Sequence, residues 1–473
     1  MIHDLKPYSA YKDSSVPWMG EIPNTWRVLR GKNVFRVIDV RSETGNEELL
    51  TVSSKDGVVP RSQKTVTMFK AESYVGHKLC WPGDLVINSL WAWMQGLGFT
   101  KIHGLVSSAY SVYRPLPEFS SYTKYFDYAL RSAAYKWELQ TRSKGVWLSR
   151  LQLSDPAFLD MPIIIPPADE QSAIVHYLDH FDRRIRHYIR AKKKLIKLLE
   201  EQKQAIIHQA VTRGLDPNVK LKPSGVEWLG DVPEHWEVVA LRRYWEVVDC
   251  KHITVPFTDE GIHIASVREV QSFDLNLSTS KKTNEEWYAH MISGGRRPKK
   301  GDLIYCRNVS VGACAFVTSD ETFAMGQDVC LIRSETENGR FLNYFMRSLA
   351  MQQQLSLVLI GSTFHRINVS EIKSLLVAVP PRNEQDLIVS SLDASLSKLD
   401  KPIELAQKEI SLLREYRTRL IADVVTGKLD VREAAANLSD KSDEIEVEDD
   451  FEEETIEESL EEVATEEMVE GEL

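Results

Sequence analysis

Two stretches of the 473-residue chain carry apolar residues at alternating spacings of four and three. The first runs through Ile174, Leu178, Phe181, Ile185, Tyr188, Lys192, Leu195, Leu199, Gln202 and Ile206. The second runs through Leu392, Leu396, Leu399, Ile403, Ala406, Ile410, Leu413, Arg417, Leu420 and Val424. A heptad seam of this kind, with a few polar breaks, predicts two long helices. Asp169 and Asn383 stand where N-caps are expected, and Gly214 and Gly427 where each helix should stop. A helix over residues 171–212 would be roughly 60 Å long at 1.5 Å per residue. A seam of that length must be buried, most simply against the other helix in antiparallel orientation. Pro402 falls inside the second pattern and is expected to kink it or mark a restart. Elsewhere the pattern is short-range. Thr65–Met68 and Leu85–Ile87 read as strands, and Gly301–Tyr305 as a turn feeding a strand. Met161–Ile165 and Leu375–Val379 read as last strands, each stopped by Pro-Pro, and Tyr122–Ala134 and Gly339–Gln354 as helices. The expected class is α+β.

The same elements occur twice. Trp18-Met19-Gly20-Glu21-Ile22-Pro23-Asn24-Thr25-Trp26 returns as Trp228-Leu229-Gly230-Asp231-Val232-Pro233-Glu234-His235-Trp236. Pro166-Pro167-Ala168-Asp169-Glu170-Gln171 returns as Pro380-Pro381-Arg382-Asn383-Glu384-Gln385. Gln171–Asp216 aligns without a gap on Gln385–Asp430, with 16 of 46 positions identical. Residues 41–140 and 251–355, in contrast, share little. Two copies are too few for a solenoid and suit two pseudo-symmetric domains on a repeated frame. The expected boundaries are 1–165 and 217–379 for the mixed α/β domains, 166–216 and 380–430 for the helices, and 431–473 for a tail.

Charge refines this division. The chain carries −11 overall, but residues 440–473 hold eighteen Asp or Glu against one Lys, which leaves the rest at +6. The body is therefore mildly basic and open to an anionic partner, and the acidic tail reads as disordered and solubilising. A competing reading has the tail cover basic surface until a partner displaces it. The five cysteines, none in a C-x-x-C pair, argue against disulfides or a structural zinc and are expected to be buried thiols. No apolar run approaches membrane-spanning length and no signal-peptide layout opens the chain, so a cytoplasmic location is expected. The chain lacks G-x-x-x-x-G-K-[ST] and N-P-P-[FY] motifs, and Gly96-Leu97-Gly98 lacks the third glycine of a dinucleotide fingerprint. No catalysis is expected from this chain.

Taken jointly, the paired W-x-G-x-[IV]-P-x-x-W motifs, the paired P-P-x-x-E-Q motifs and the helices after them resemble the specificity subunit of type I restriction–modification systems, over about residues 11–430. The resemblance implies that the variable halves are target recognition domains for a two-part, asymmetric double-stranded DNA sequence. It implies that the two helices pack together as a spacer. It also implies recruitment of two methylation subunits and then restriction subunits, which would carry S-adenosylmethionine, ATP and Mg2+. The acidic tail departs from the family pattern.

DNA contact needs cations for phosphates, Arg for guanine and Asn or Gln for adenine. Lys55, Arg61, Lys64, Lys101, His103, Lys144 and Arg150 supply such residues in the first half. Lys251, His252, Arg268, Lys281, Lys282, Arg296, Arg297, Arg307, Asn308 and Arg366 supply them in the second. Arg150 and Arg366 lead because each follows a glycine by five residues at equivalent places; their alternative is an internal salt bridge. Arg296-Arg297-Pro298-Lys299-Lys300 is the densest basic cluster. The helix-pair and subunit interface is expected at Gln171, Leu178, Ile185, Leu195, Leu199 and Ile206, and at Gln385, Leu392, Leu399, Ile410, Leu413 and Leu420. The four motif tryptophans read as packing rather than as stacking platforms. The Pro-Pro-x-x-Glu-Gln motifs read as helix punctuation, with a further role at the interface left open. A protein-only scaffold would explain the helices but not the basic body; an orphan recognition subunit is a third reading.

Overall fold

The computed structural model describes residues 5–54, 56–63, 73–145, 151–359 and 366–438. The expected strand at Thr65–Met68 and the acidic tail lie outside them. The chain divides into two compact units, one of residues up to Arg190 together with those from Glu409, the other Ala191–Lys408. Each long helix therefore contributes one half to each unit. The division differs from a boundary drawn at the helix ends because each helix half is part of a domain core.

In the first unit the elements are β1 (Arg27–Arg30), β2 (Phe35–Ile38), β3 (Leu85–Ile87), β4 (Leu97–Phe99), β5 (Ser111–Pro115), α1 (Thr123–Leu130), α2 (Ala133–Arg142), β6 (Pro162–Ile165) and α3, which begins at Ala168 and ends at Arg213. Strands β2, β5, β3 and β4 lie in that order in an antiparallel sheet. Strand β6 returns to pair with β1, Ile164 opposite Val28. In the second unit β7 (Glu237–Ala240), β8 (Glu246–Asp249), β9 (Leu303–Cys306), β10 (Cys314–Phe316), β11 (Val329–Arg333), α4 (Gly339–Met346), α5 (Leu349–Leu359), β12 (Leu376–Val379) and α6 (Arg382–Val425) repeat the plan. Its sheet runs β8, β11, β9, β10, and β12 pairs with β7. The inner strands β3 and β9 are buried at every position. The expectation of α+β halves holds, although the expected helices at Tyr122 and Gly339 are each split into two by a short break.

The long helices begin two residues earlier than N-caps at Asp169 and Asn383 would have it, at Ala168 and Arg382, so both residues lie inside the first turn. A shift of one or two residues is the ordinary uncertainty of a helix end. Helix α6 continues through Pro402 without a restart. The seam residues of α6 are buried or partly so, from Leu392 at 1% to Leu420 at 2% exposure. In α3 the seam holds at Leu178 and Ile185 and then slides by one residue: Ile189 and Ile207 are buried, while Tyr188 and Leu195 are 49% and 40% exposed. Leu199 and Ile206 are only partly buried. A straight helix turns 3.6 residues per turn, so a strict 3.5-residue pattern drifts by about 20° per heptad. Polar residues close the gaps in the seam. Arg417 pairs with Asp182 in the first unit, and Lys203 Nζ lies 2.6 Å from Asp400 in the second. Lys203 and Arg417 hold the same place in the repeat, so a cross-helix ion pair recurs in each unit.

Candidate nucleic-acid interface

The repeated motifs form one structural lock per unit. In the first unit the Trp26 indole N–H donates to Glu170 at 2.7 Å, and Thr25 Oγ1 donates to the same carboxylate at 3.1 Å. In the second, Trp236 donates to Glu384 at 3.1 Å and His235 lies 2.8 Å from its other oxygen. Both tryptophans are fully buried. The glycine that ends the opposite helix packs on this pair. Gly427 and Gly214 both have left-handed φ, +77° and +75°. A Cβ on Gly427 would meet Pro23 at 2.4 Å, and one on Gly214 would meet Trp236 at 3.3 Å. Each unit is thus fastened at the start of one long helix and the end of the other. Gln171 and Gln385 turn back to donate to the Pro166 and Pro380 carbonyls, both at 2.9 Å, and are buried within their units. The lock accounts for the Trp and Pro-Pro motifs as framework, and the glutamates' role in it was missed in the sequence because the partners stand well over a hundred residues apart.

Above this frame both units build the same edge. The hairpin loop joining β3 to β4 and that joining β9 to β10 each pair with the segment after the repeated glycine. Leu153 N–H donates to the Ser89 carbonyl at 3.0 Å, and Ile367 N–H donates to the Arg307 carbonyl at 2.9 Å. An isolated antiparallel bridge sets Asn308 beside Arg366. Arg366 is exposed and Asn308 partly so. In the first unit Lys144 bridges Gln152 through its backbone and leaves its side chain exposed. The two edges carry different residues on the same backbone plan.

The other cationic candidates divide. Lys55, Lys64 and Arg150 lie outside the described residues. Lys101, Arg268, Lys281 and Arg297 are exposed, Lys281 with its ammonium 4.3 Å over the Phe257 ring. Arg61, Lys251 and Lys282 are partly buried. His103 stacks on Trp81 and its Nδ1 lies 2.9 Å from the Cys80 carbonyl. Arg296 is turned onto its own surroundings, donating to the carbonyls of Asp249 at 2.9 Å and Ser293 at 3.0 Å. Arg307, expected at the DNA surface, is 4% exposed and paired with Asp249. Withdrawing that guanidinium would leave a half-buried carboxylate uncompensated. It therefore holds the hairpin loop from beneath instead of reaching out of it.

Asp249, Cys250 and His252 form the one group of three potential metal ligands among the described residues, their donor atoms within 4.8 Å of one another. Arg307 already sets a fixed positive charge on Asp249. Burial pushes the Asp249 carboxyl up, but His252 and Arg307 outweigh it and hold it below the usual carboxylate range. The group is an ion-pair cluster at the root of the loop. All five cysteines are buried and unpaired.

Residues 278–414 match the family described as the type I restriction modification DNA specificity domain. The type I restriction enzyme MjaVIII specificity subunit of Methanocaldococcus jannaschii is 22% identical over 436 residues, which is 87% of this chain and 94% of that one. A chain from a structure titled for the complex assembly and conformational transition of the type I R-M system superposes with a TM-score of 0.64 at 16% identity, over 86% of this chain and 99% of that one. The chain thus shares its fold with that protein. Residues 278–414 match a type I restriction DNA specificity domain, and the chain is similar to a type I specificity subunit over most of its length. No helix among the described residues is long and apolar enough to cross a membrane.

Proposed function

We propose that each domain reads one half of a two-part, asymmetric DNA target, and that the paired helices recruit two methylation subunits and, through that assembly, restriction subunits. The observation that carries this reading is the contrast between lock and edge. The Trp–Glu–Gly lock is built from the same residue types in both units, whereas the hairpin loops above it differ. A reader of two unlike half-sites needs a constant frame and divergent contact surfaces. The +6 charge of the chain outside residues 440–473 suits a polyanion. Leu198 and Leu412 occupy the same place in the repeat, off the seam, and are 53% and 54% exposed. Two matching apolar positions on the helices suit two copies of one partner. Methyl transfer from S-adenosylmethionine and Mg2+- and ATP-dependent cleavage belong, in this reading, to the partner subunits.

The test is co-expression with a type I methylation subunit, followed by mapping of methylated adenines in the host DNA. The expected result is a pair of unlike half-sites at a constant gap. Methyl transfer by the isolated chain, or DNA affinity that does not fall with salt, would overturn the proposal; the latter would favour a protein-only scaffold.

A further inference from the structure

The hairpin loop between β9 and β10 presents its apolar tip at an energetic disadvantage. Val309 is 76% exposed, the highest among the large hydrophobic residues described. Its φ is +63°, a left-handed conformation that a β-branched residue rarely adopts. Strained residues of this kind persist where the surroundings over-determine them and cluster at functional sites. Here the surroundings are explicit. Arg307 anchors the loop root on Asp249. The Cys306 thiol donates to the Asn308 carbonyl at 2.9 Å, and Ser310 N–H donates to the same oxygen at 2.7 Å. The Asn308 side-chain oxygen accepts from Val309 N–H at 3.0 Å. The loop is fixed from below, and a bare isopropyl group is what it holds up.

The corresponding loop of the first unit also exposes apolar residues, although the left-handed residue there is the polar Gln95, whose amide donates to the Leu130 and Ser132 carbonyls. Between β3 and β4, Leu90 and Met94 are 43% and 36% exposed, and Gln95 has a φ of +62°. An apolar tip at the same place in two domains whose loops share no sequence marks a property of the reading edge, not of the core. In the second unit that tip adjoins Asn308 and Arg366. Asn matches the adenine edge in the major groove, Arg the guanine edge, and an apolar group the C5-methyl of thymine.

We infer that Val309 is a specificity-determining residue whose isopropyl group contacts the C5-methyl of one thymine in the half-site read by the second domain. The inference rests on the proposed DNA-reading function. The assembled complex of the full chain with methylation subunits is titrated with duplexes carrying the mapped target. Each thymine of both half-sites is replaced in turn by deoxyuridine, which removes only the methyl group. One replacement, in one half-site, should weaken wild-type binding roughly three- to tenfold. Val309→Gly should bind the natural duplex more weakly by the same factor and be insensitive to that replacement, while Val309→Ile should restore sensitivity. Glycine accepts the left-handed backbone, so the variant should unfold at the same or a higher temperature than wild type. The inference is overturned if no thymine is sensitive, if Val309→Gly keeps the wild-type profile, or if the variant loses methylation subunits and not base discrimination. Failure of the wild-type complex to bind any specific duplex would instead sink the DNA-reading function itself.

Discussion

Glu170 is a buried carboxylate whose purpose is a hydrogen-bond donor 144 residues away. Replacing it by alanine leaves the Trp26 indole N–H without an acceptor in a dry core, a loss of about 1–3 kcal/mol. Glu170→Ala should therefore lower the denaturation midpoint of the first unit, and Glu384→Ala should do less to the second, because its side chain is 25% exposed and water can substitute. Urea unfolding followed by tryptophan fluorescence measures both. The glycine caps provide a second residue-scale contrast. Gly427→Ala and Gly214→Ala both force a side chain into left-handed backbone, costing about 1 kcal/mol. Only the first also drives a Cβ to within 2.4 Å of the rigid Pro23 ring. Gly427→Ala should lower the melting temperature clearly more than Gly214→Ala; equal effects would contradict the close approach. Neither glutamate's partner was legible in the sequence, where the motif reads as helix punctuation. Arg307 was misread for the same reason: its burial depends on Asp249, 58 residues earlier.

At the scale of elements, the seam of α6 was legible because its buried residues follow the heptad throughout. That of α3 was legible only to Ile185. Beyond it the buried face passes to Ile189 and Ile207, and periodicity alone cannot say where a drifting stripe is re-registered by its neighbour. Ile207→Ser should destabilise the second unit by about 2–4 kcal/mol, the range for emptying a core position. Leu195→Ser should change stability by less than about 0.5 kcal/mol, as exposed substitutions do. Circular-dichroism melts distinguish the two. Leu198 and Leu412 belong to the interface argument. If each seats one methylation subunit, Leu198→Glu should reduce the purified complex from two copies to one, and Leu412→Glu should do likewise. Native mass spectrometry reads the stoichiometry; two copies retained in both variants would remove these leucines from the interface.

For the whole molecule the charge division matters most. Deleting residues 440–473 moves the chain from −11 to +6. Non-specific affinity for mixed-sequence DNA should rise at low salt and converge with wild type as salt increases. Fluorescence anisotropy at several ionic strengths tests this, and an unchanged low-salt affinity would remove any masking role for the tail. Packing continues past the expected tail boundary at residue 431: Arg432–Ala436 form a further helical turn, with Val431 and Ala435 buried in the first unit's core.

The lock also dictates an order of assembly during synthesis. The second unit is a single unbroken stretch and can close once Lys408 has left the ribosome. The first needs Leu420, Val424, Val425 and Val431 in the same core as Trp26, and the Gly427 cap against Pro23. The domain translated first is the one completed last, and it must wait through the translation of the second unit with a tryptophan-lined seat unfilled. A nascent protein in that condition exposes apolar surface for tens of seconds at ordinary elongation rates of about 5–20 residues per second. Chaperone dependence and aggregation of this protein should therefore originate at its N-terminal domain.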